Sequence, residues 1–377
     1  MPWQEFSKMS LRLEFVRLAL QQSVPFRELC RRFQISAPTG YKWLDRYDPD
    51  DAEAMCDQSR RPHSSPTKTT IETEQAVVCL RKKQPTWGGR KIAARLQNLG
   101  SQGAPAPSTI TNILRRNDLL EAQGDRQKSL CRFEHEAPND LWQMDFKGHF
   151  LIQQGRCHPL TILDDHSRYC IAVRACSNEQ SQTVRAELTH CFRQHGLPRR
   201  ILMDNGPTWS SQGRGITKIE AWLARLDVRV SHGRPGHPQT QGKEERFHRT
   251  LKADVLQFNV PHNLSGCQKA FDAFRTTYNH ERPHEALNMK PPISRYTPSP
   301  RSYPETLPEV EYAPQDIVRK VSFPGQIRFK GRRIIVGRGI IGEHVAIRPT
   351  LDDGIYDVVY CTIPVRQIDL NDAQQEL

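Results

Sequence analysis

The sequence predicts a multidomain chain: all-α helix-turn-helix units first, an α/β layer next, and a small all-β barrel last. Three observations predict this. Apolar residues recur at helical spacing through roughly the first 120 positions. From Asn139 onward, short strand-like runs come first and then alternate with helical stretches. Beyond a proline-rich segment at 297–315, strand-like runs are separated by Gly and Asp turns. A chain of 377 residues also exceeds what one core ordinarily organises. The expected layout is a first helical unit at 1–52, a second, winged-helix-like unit at 66–120 and a linker at 121–137. An α/β core at 138–297 and a barrel at 312–377 complete it.

In the first unit, Phe26, Leu29, Cys30 and Phe33 form an apolar stripe, QIS makes a turn, and Ser36 is a good cap for the next helix. Pro38 is tolerated in that helix's first turn. The pattern fits a helix-turn-helix whose second helix presents Thr39, Lys42 and Arg46 to DNA; an ordinary helical hairpin has the same pattern. The second unit repeats the theme. Trp87, Ile92, Leu96, Ile110, Ile113 and Leu114 are its expected core, Ser108 its cap, and Arg115 and Arg116 its DNA-facing cations.

The chain carries a formal charge of +12 and a pI near 9.3. A polyanionic partner fits that balance. The positive excess lies within the first 300 residues. Ten cysteines include no C-x-x-C pair and no zinc-ligand spacing, so reduced core thiols and no zinc are expected. No apolar run is long enough for a bilayer, and no membrane partner is expected.

Three acids stand at chemically suggestive places. Asp145 lies in the strand WQMDF; Trp142, Met144 and Phe146 share one face, so Asp145 points to the other. Asp204 comes directly after the strand RILM, where α/β sheets present ligand-binding residues. The segment HPQTQGKEERFHRTL opens a helix with adjacent glutamates. Helical phase puts Glu245, His248, Arg249 and Lys252 on one arc and Phe247 and Leu251 opposite, with Glu244 nearer the latter pair. Oxygen ligands suit Mg²⁺ or Mn²⁺, and a pair of such ions could activate an attacking oxygen and stabilise a leaving one. Bland readings coexist: a turn aspartate, a solvated strand acid, a glutamate favouring a helix dipole. LDDHSRY, with Asp164 and Asp165, could also supply ligands, although a turn between strands accounts for it.

Taken together, WQMDF, ILMDNGP, HPQTQGKEERFHRTL and the closing YNHERPHEAL resemble the catalytic core of integrase-type DDE transposases of bacterial insertion sequences, relatives of retroviral integrases. The resemblance covers about 138–297. It implies an RNase H-like catalytic core holding two Mg²⁺ or Mn²⁺ ions on Asp145, Asp204 and Glu245. It implies DNA contacts from Lys243, Arg249 and Lys252, double-stranded transposon-end and target DNA as partners, and a homodimer or higher oligomer. The expected activity is DNA cleavage and strand transfer in the bacterial cytoplasm, associated with the nucleoid. A non-catalytic DNA-binding regulator derived from a transposase is the alternative. Forty residues separate Asp204 from Glu245, more than in retroviral integrases, and the zinc-binding domain of those enzymes is absent.

Overall fold

In the computed structural model, the residues that can be described are 7–51, 54–57, 69–101, 103–120, 134–153, 155–203, 215–233, 242–257 and 261–372. The chain forms two compact units, Met1–Lys68 and Thr69–Leu377.

The first body contains α1 (Lys8–Leu20), α2 (Phe26–Arg32) and α3 (Ala37–Arg46). Ser36 caps α3 by accepting from the Thr39 amide, and Pro38 sits in the first turn. Phe15, Val16, Leu29, Cys30 and Trp43 form the core. Gly40 permits the helices to meet there: a Cβ at this position would stand 2.9 Å from Cys30 Sγ and from the rings of Phe15 and Phe26.

The second body begins with α4 (Ile71–Lys83), α5 (Gly89–Asn98) and α6 (Pro107–Arg116), packed on the expected core with Val77 and Ala93 added. Ser108 is not the cap. Helix α6 starts one residue earlier at Pro107, whose ring presets φ and whose missing amide hydrogen leaves one fewer donor to satisfy. This helical unit is fastened to the α/β layer: Thr86 donates to Asp254 Oδ1 at 2.6 Å, and Arg95 pairs with Glu281 at 3.1 Å.

The central sheet comprises β1 (Trp142–Phe146), β2 (Phe150–Ile152), β3 (Gly155–Asp164), β4 (Cys170–Cys176), β5 (Arg200–Met203) and β6 (Arg229–His232). Its order is β2-β3-β1-β5-β6, with β4 also paired to β3. The β1, β3 and β4 pairings are antiparallel, whereas β5 runs parallel to both β1 and β6. Helices α7 (Ser181–His195) and α8 (Lys218–Arg225) cover one face, where Trp142, Met144, Phe192 and Trp222 pack. Helices α9 (Gly242–Leu251) and α10 (Leu264–His280) cover the other with Phe247, Leu251, Phe271 and Tyr278. Covering both faces explains why the inner strands are so apolar. Alternation then sends Gln143 and Asp145 toward α9.

The terminal module contains β7 (Ile317–Lys320), β8 (Gln326–Phe329), β9 (Arg332–Ile335), β10 (His344–Pro349), β11 (Ile355–Tyr360) and β12 (Ile363–Asp369). It is all-β, but the ladder does not close into a barrel. A four-stranded sheet, β12-β11-β10-β7, faces a separate β8–β9 hairpin. Burial replaces closure: Ile327, Phe329 and Ile334 of the hairpin share one core with Val345, Ile347 and Val358 of the sheet. That core also takes in Ile216, Ala221 and Ala224, which mounts the module on α8. Backbone seals the joint, with Ile216 N donating to Val336 O and Gly339 N to Ile216 O. A Cβ on Gly339 would lie 2.2 Å from the Thr217 carbonyl carbon. Gly339→Ala is therefore expected to cost about 1–3 kcal/mol through overpacking. Urea unfolding checks this; unchanged stability would mean the joint yields freely.

Candidate active site and nucleic-acid interface

Asp145 pairs across the sheet with Thr161 of β3, and both face α9. The Asp145 side chain is 28% exposed, and its Oδ2 lies 3.9 Å from His248 Nδ1. Glu244 is 2% exposed beside it. The Thr161 hydroxyl lies 3.1 Å from Glu244 Oε2, 2.9 Å from the Asp145 carbonyl oxygen and 2.8 Å from His248 Nε2. One hydroxyl hydrogen cannot serve all three. A consistent network has Nε2–H of His248 donating to Thr161, which donates onward to an oxygen. Burial, and after it the nearby Lys147 charge, pushes the His248 imidazole down to about 4, so it is neutral near pH 7.

Burial also pushes the Glu244 carboxyl well above its usual range, and the negative charge of Asp145 adds to the push. The second oxygen of Glu244, Oε1, is buried without a hydrogen-bond partner among the described residues. Two facing acids, one with an uncommitted oxygen, form a donor set suited to a hard divalent cation, which would relieve their repulsion. Among the described residues no cluster of three His, Cys, Asp or Glu side chains forms. Asp204 lies outside the described residues.

Glu245 turns outward. Its side chain is 72% exposed and pairs with Arg249 at 3.0 Å. The arc expected to unite Glu245, His248, Arg249 and Lys252 is therefore split. Glu244, Phe247 and Leu251 enter the core at i, i+3 and i+7, and His248 turns inward with Glu244 at i+4. Arg249 and Lys252 remain exposed, with the partly buried Lys147 near Lys252.

The other expected DNA contacts vary in availability. Lys42 is exposed and Arg46 half-buried; with Arg12 they lie over the Trp43 ring at 4.6, 5.4 and 3.9 Å. The Thr39 hydroxyl is engaged with Ser36 at 2.9 Å in the cap. Arg115 is exposed and bonds Asn112, whereas Arg116 is forked onto Glu74. Lys243 is committed to Asp165. Both LDDHSRY acids are engaged in the fold: Asp164 accepts from the amides of Asn139 and Ser167, Asp165 from the His135 amide and Gln143 Nε2. Sequence reasoning missed Thr161 and Lys147, and it set His248 on the arc with Glu245, although its i+4 spacing from Glu244 carried the signal for the inward position.

Two family models described as "Integrase core domain" match residues 135–238 and 226–292. The model described as "IS481 family transposase, C-terminal domain" matches 316–376. The chain carries an integrase core domain followed by a transposase C-terminal domain. A helix-turn-helix model matches residues 11–63 of this chain and a homeodomain-like model matches 39–114. It is 28% identical over 182 residues to an uncharacterized 39.2 kDa protein of insertion element IS476 from Xanthomonas euvesicatoria. That stretch covers 48% of this chain and 50% of that protein, half its length. It is 25% identical to the transposase for insertion sequence element IS904 from Lactococcus lactis, covering 62% of this chain and 96% of the relative. Among solved structures, a simian T-cell lymphotropic virus intasome bound to the PP2A regulatory subunit B56 gamma aligns at 17% identity. The alignment covers 78% of this chain and 96% of that one, with a TM-score of 0.40. The HTLV-2 integrase catalytic core in complex with magnesium aligns at 21% identity over 43% of this chain and 98% of that one, TM-score 0.34. No helix among the described residues is long and apolar enough to cross a membrane.

Proposed function

We propose that this chain is an insertion-sequence transposase that cuts the ends of its own element and joins the freed 3′-hydroxyls to target DNA, acting in the bacterial cytoplasm at the nucleoid. The carrying observation is the partly exposed Asp145 acting electrostatically on the buried Glu244 in the first turn of α9, with the exposed cations Arg249 and Lys252 following in the chain. Asp145, Asp204 and Glu245 would hold a pair of Mg²⁺ or Mn²⁺ ions, with Glu244 lining the same pocket. Bound there, the ions would lower the pKa of an attacking oxygen and stabilise the oxygen that leaves. In cleavage, a water oxygen bonds to the phosphorus while the 3′-oxygen departs and takes up a proton. In joining, that 3′-hydroxyl attacks a target phosphodiester and displaces the target's own 3′-oxygen. No covalent protein intermediate is needed. Arg249, Lys252 and Lys147 would hold the flanking phosphates, and Lys42, Arg46 and Arg115 would grip terminal-repeat duplex. Joining two ends requires a homodimer or a larger assembly.

The test is joining of labelled terminal-repeat DNA to a plasmid with Mg²⁺, and its loss with EDTA. Comparing Glu244→Gln with Glu245→Gln decides the third ligand. Inactive Glu245→Gln protein supports the assignment, whereas full activity from it, with an inactive Glu244→Gln, passes the role to the buried neighbour.

A further inference from the structure

Lys243 occupies the first turn of α9, where a cation opposes the helix dipole. It is nevertheless only 16% exposed, and its ammonium is paired with Asp165, a carboxylate with no exposed surface. Asp165 is held from several sides: Oδ2 accepts from the His135 amide at 2.8 Å, Oδ1 accepts from Gln143 Nε2 at 2.7 Å, and its own amide donates to Leu141 O. Gln143 lies two residues before Asp145 on the same face of β1. One buried carboxylate thus connects the strand bearing Asp145 to the turn bearing Glu244 and Glu245.

We propose that Lys243 is a positioning residue, whose pairing with Asp165 fixes the rotation and advance of α9 so that its acids meet Asp145. It is not a phosphate contact. DNA would have to draw the ammonium from a desolvated carboxylate, which would be left buried and unpaired. The inference rests on the catalytic reading of Asp145 and explains why LDDHSRY, a motif without ligand duty, sits beside the site.

The test uses full-length Lys243→Met, Lys243→Arg, Asp165→Asn and the Lys243→Met/Asp165→Asn pair, with Arg249→Ala/Lys252→Ala as the DNA-contact control. Thermal melts establish folding. Terminal-repeat duplex is titrated by fluorescence anisotropy without metal, and single-turnover joining is measured at saturating DNA. Misplaced acids should slow saturated joining by about 10–100-fold while the dissociation constant moves less than about twofold. Lys243→Arg should restore most of the rate. The double variant should be no worse than either single, since coupled residues are not additive. Faster amide exchange in the first turn of α9, with α10 unchanged, is the activity-independent readout. Weaker DNA binding with an intact saturated rate would overturn the proposal, as would unaltered exchange in α9. Wild-type protein that never joins DNA would instead reject the catalytic reading, while exchange still decides the role of Lys243.

Discussion

Asp145→Asn protein is expected to remain folded and to lose joining by on the order of 10³-fold or more, since the several kcal/mol a metal site supplies convert at about 1.4 per decade. The substitution keeps shape and removes charge. Asp145 is partly exposed and faces Glu244, whose carboxyl it helps to push upward. Removing that negative neighbour relieves a repulsion, so metal-free stability should hold or rise. Mn²⁺, which should raise the melting temperature of the wild type, should do so less for the variant. Single-turnover joining and melts with and without Mn²⁺ give both readings. Retained joining would remove Asp145 from the chemistry.

The different fates of neighbouring residues show what the sequence could carry. Asp145 is legible because strand alternation is strict: once Trp142 and Met144 are core, the intervening acid has one direction to take. Ser36 is legible because its cap is local. Glu244 and Glu245 are harder to separate, since at a helix start 100° of rotation decides burial. Helical phase does put Glu244 nearer Phe247 and Leu251, and the structure buries all three. His248 is where the phase misleads: it falls on the Arg249 side of the expected arc, yet i+4 from Glu244 carries it inward. Thr161 could not be found at all, because its place opposite Asp145 depends on the β1–β3 register. Lys243 reads as a surface cation until Asp165, 78 residues away, arrives beneath it. The terminal module is readable as all-β, but whether strands close or face one another depends on long-range pairing.

Phe247→Ala should be the most damaging substitution for stability near the site. The ring is buried at 2% exposure, edge-on to Tyr278 at 5.0 Å and to Phe274 at 5.8 Å. Truncating such a ring removes its transfer energy and leaves a cavity, together about 3–5 kcal/mol. Much of the effect should reach function, because Phe247 lies between Glu244 and His248 on the same inward side of α9. With the ring gone, α9 keeps Leu251 and the Lys243–Asp165 pair as anchors and can rock about them. Phe247→Leu, which retains most of the volume, should be milder on both counts. Urea unfolding measures the stability loss. Joining rates normalised to folded protein at low temperature measure the rest. If Phe247→Ala lowers stability but leaves the normalised rate untouched, the ring only supports the fold, and the acids of α9 are held by the strand-side network alone.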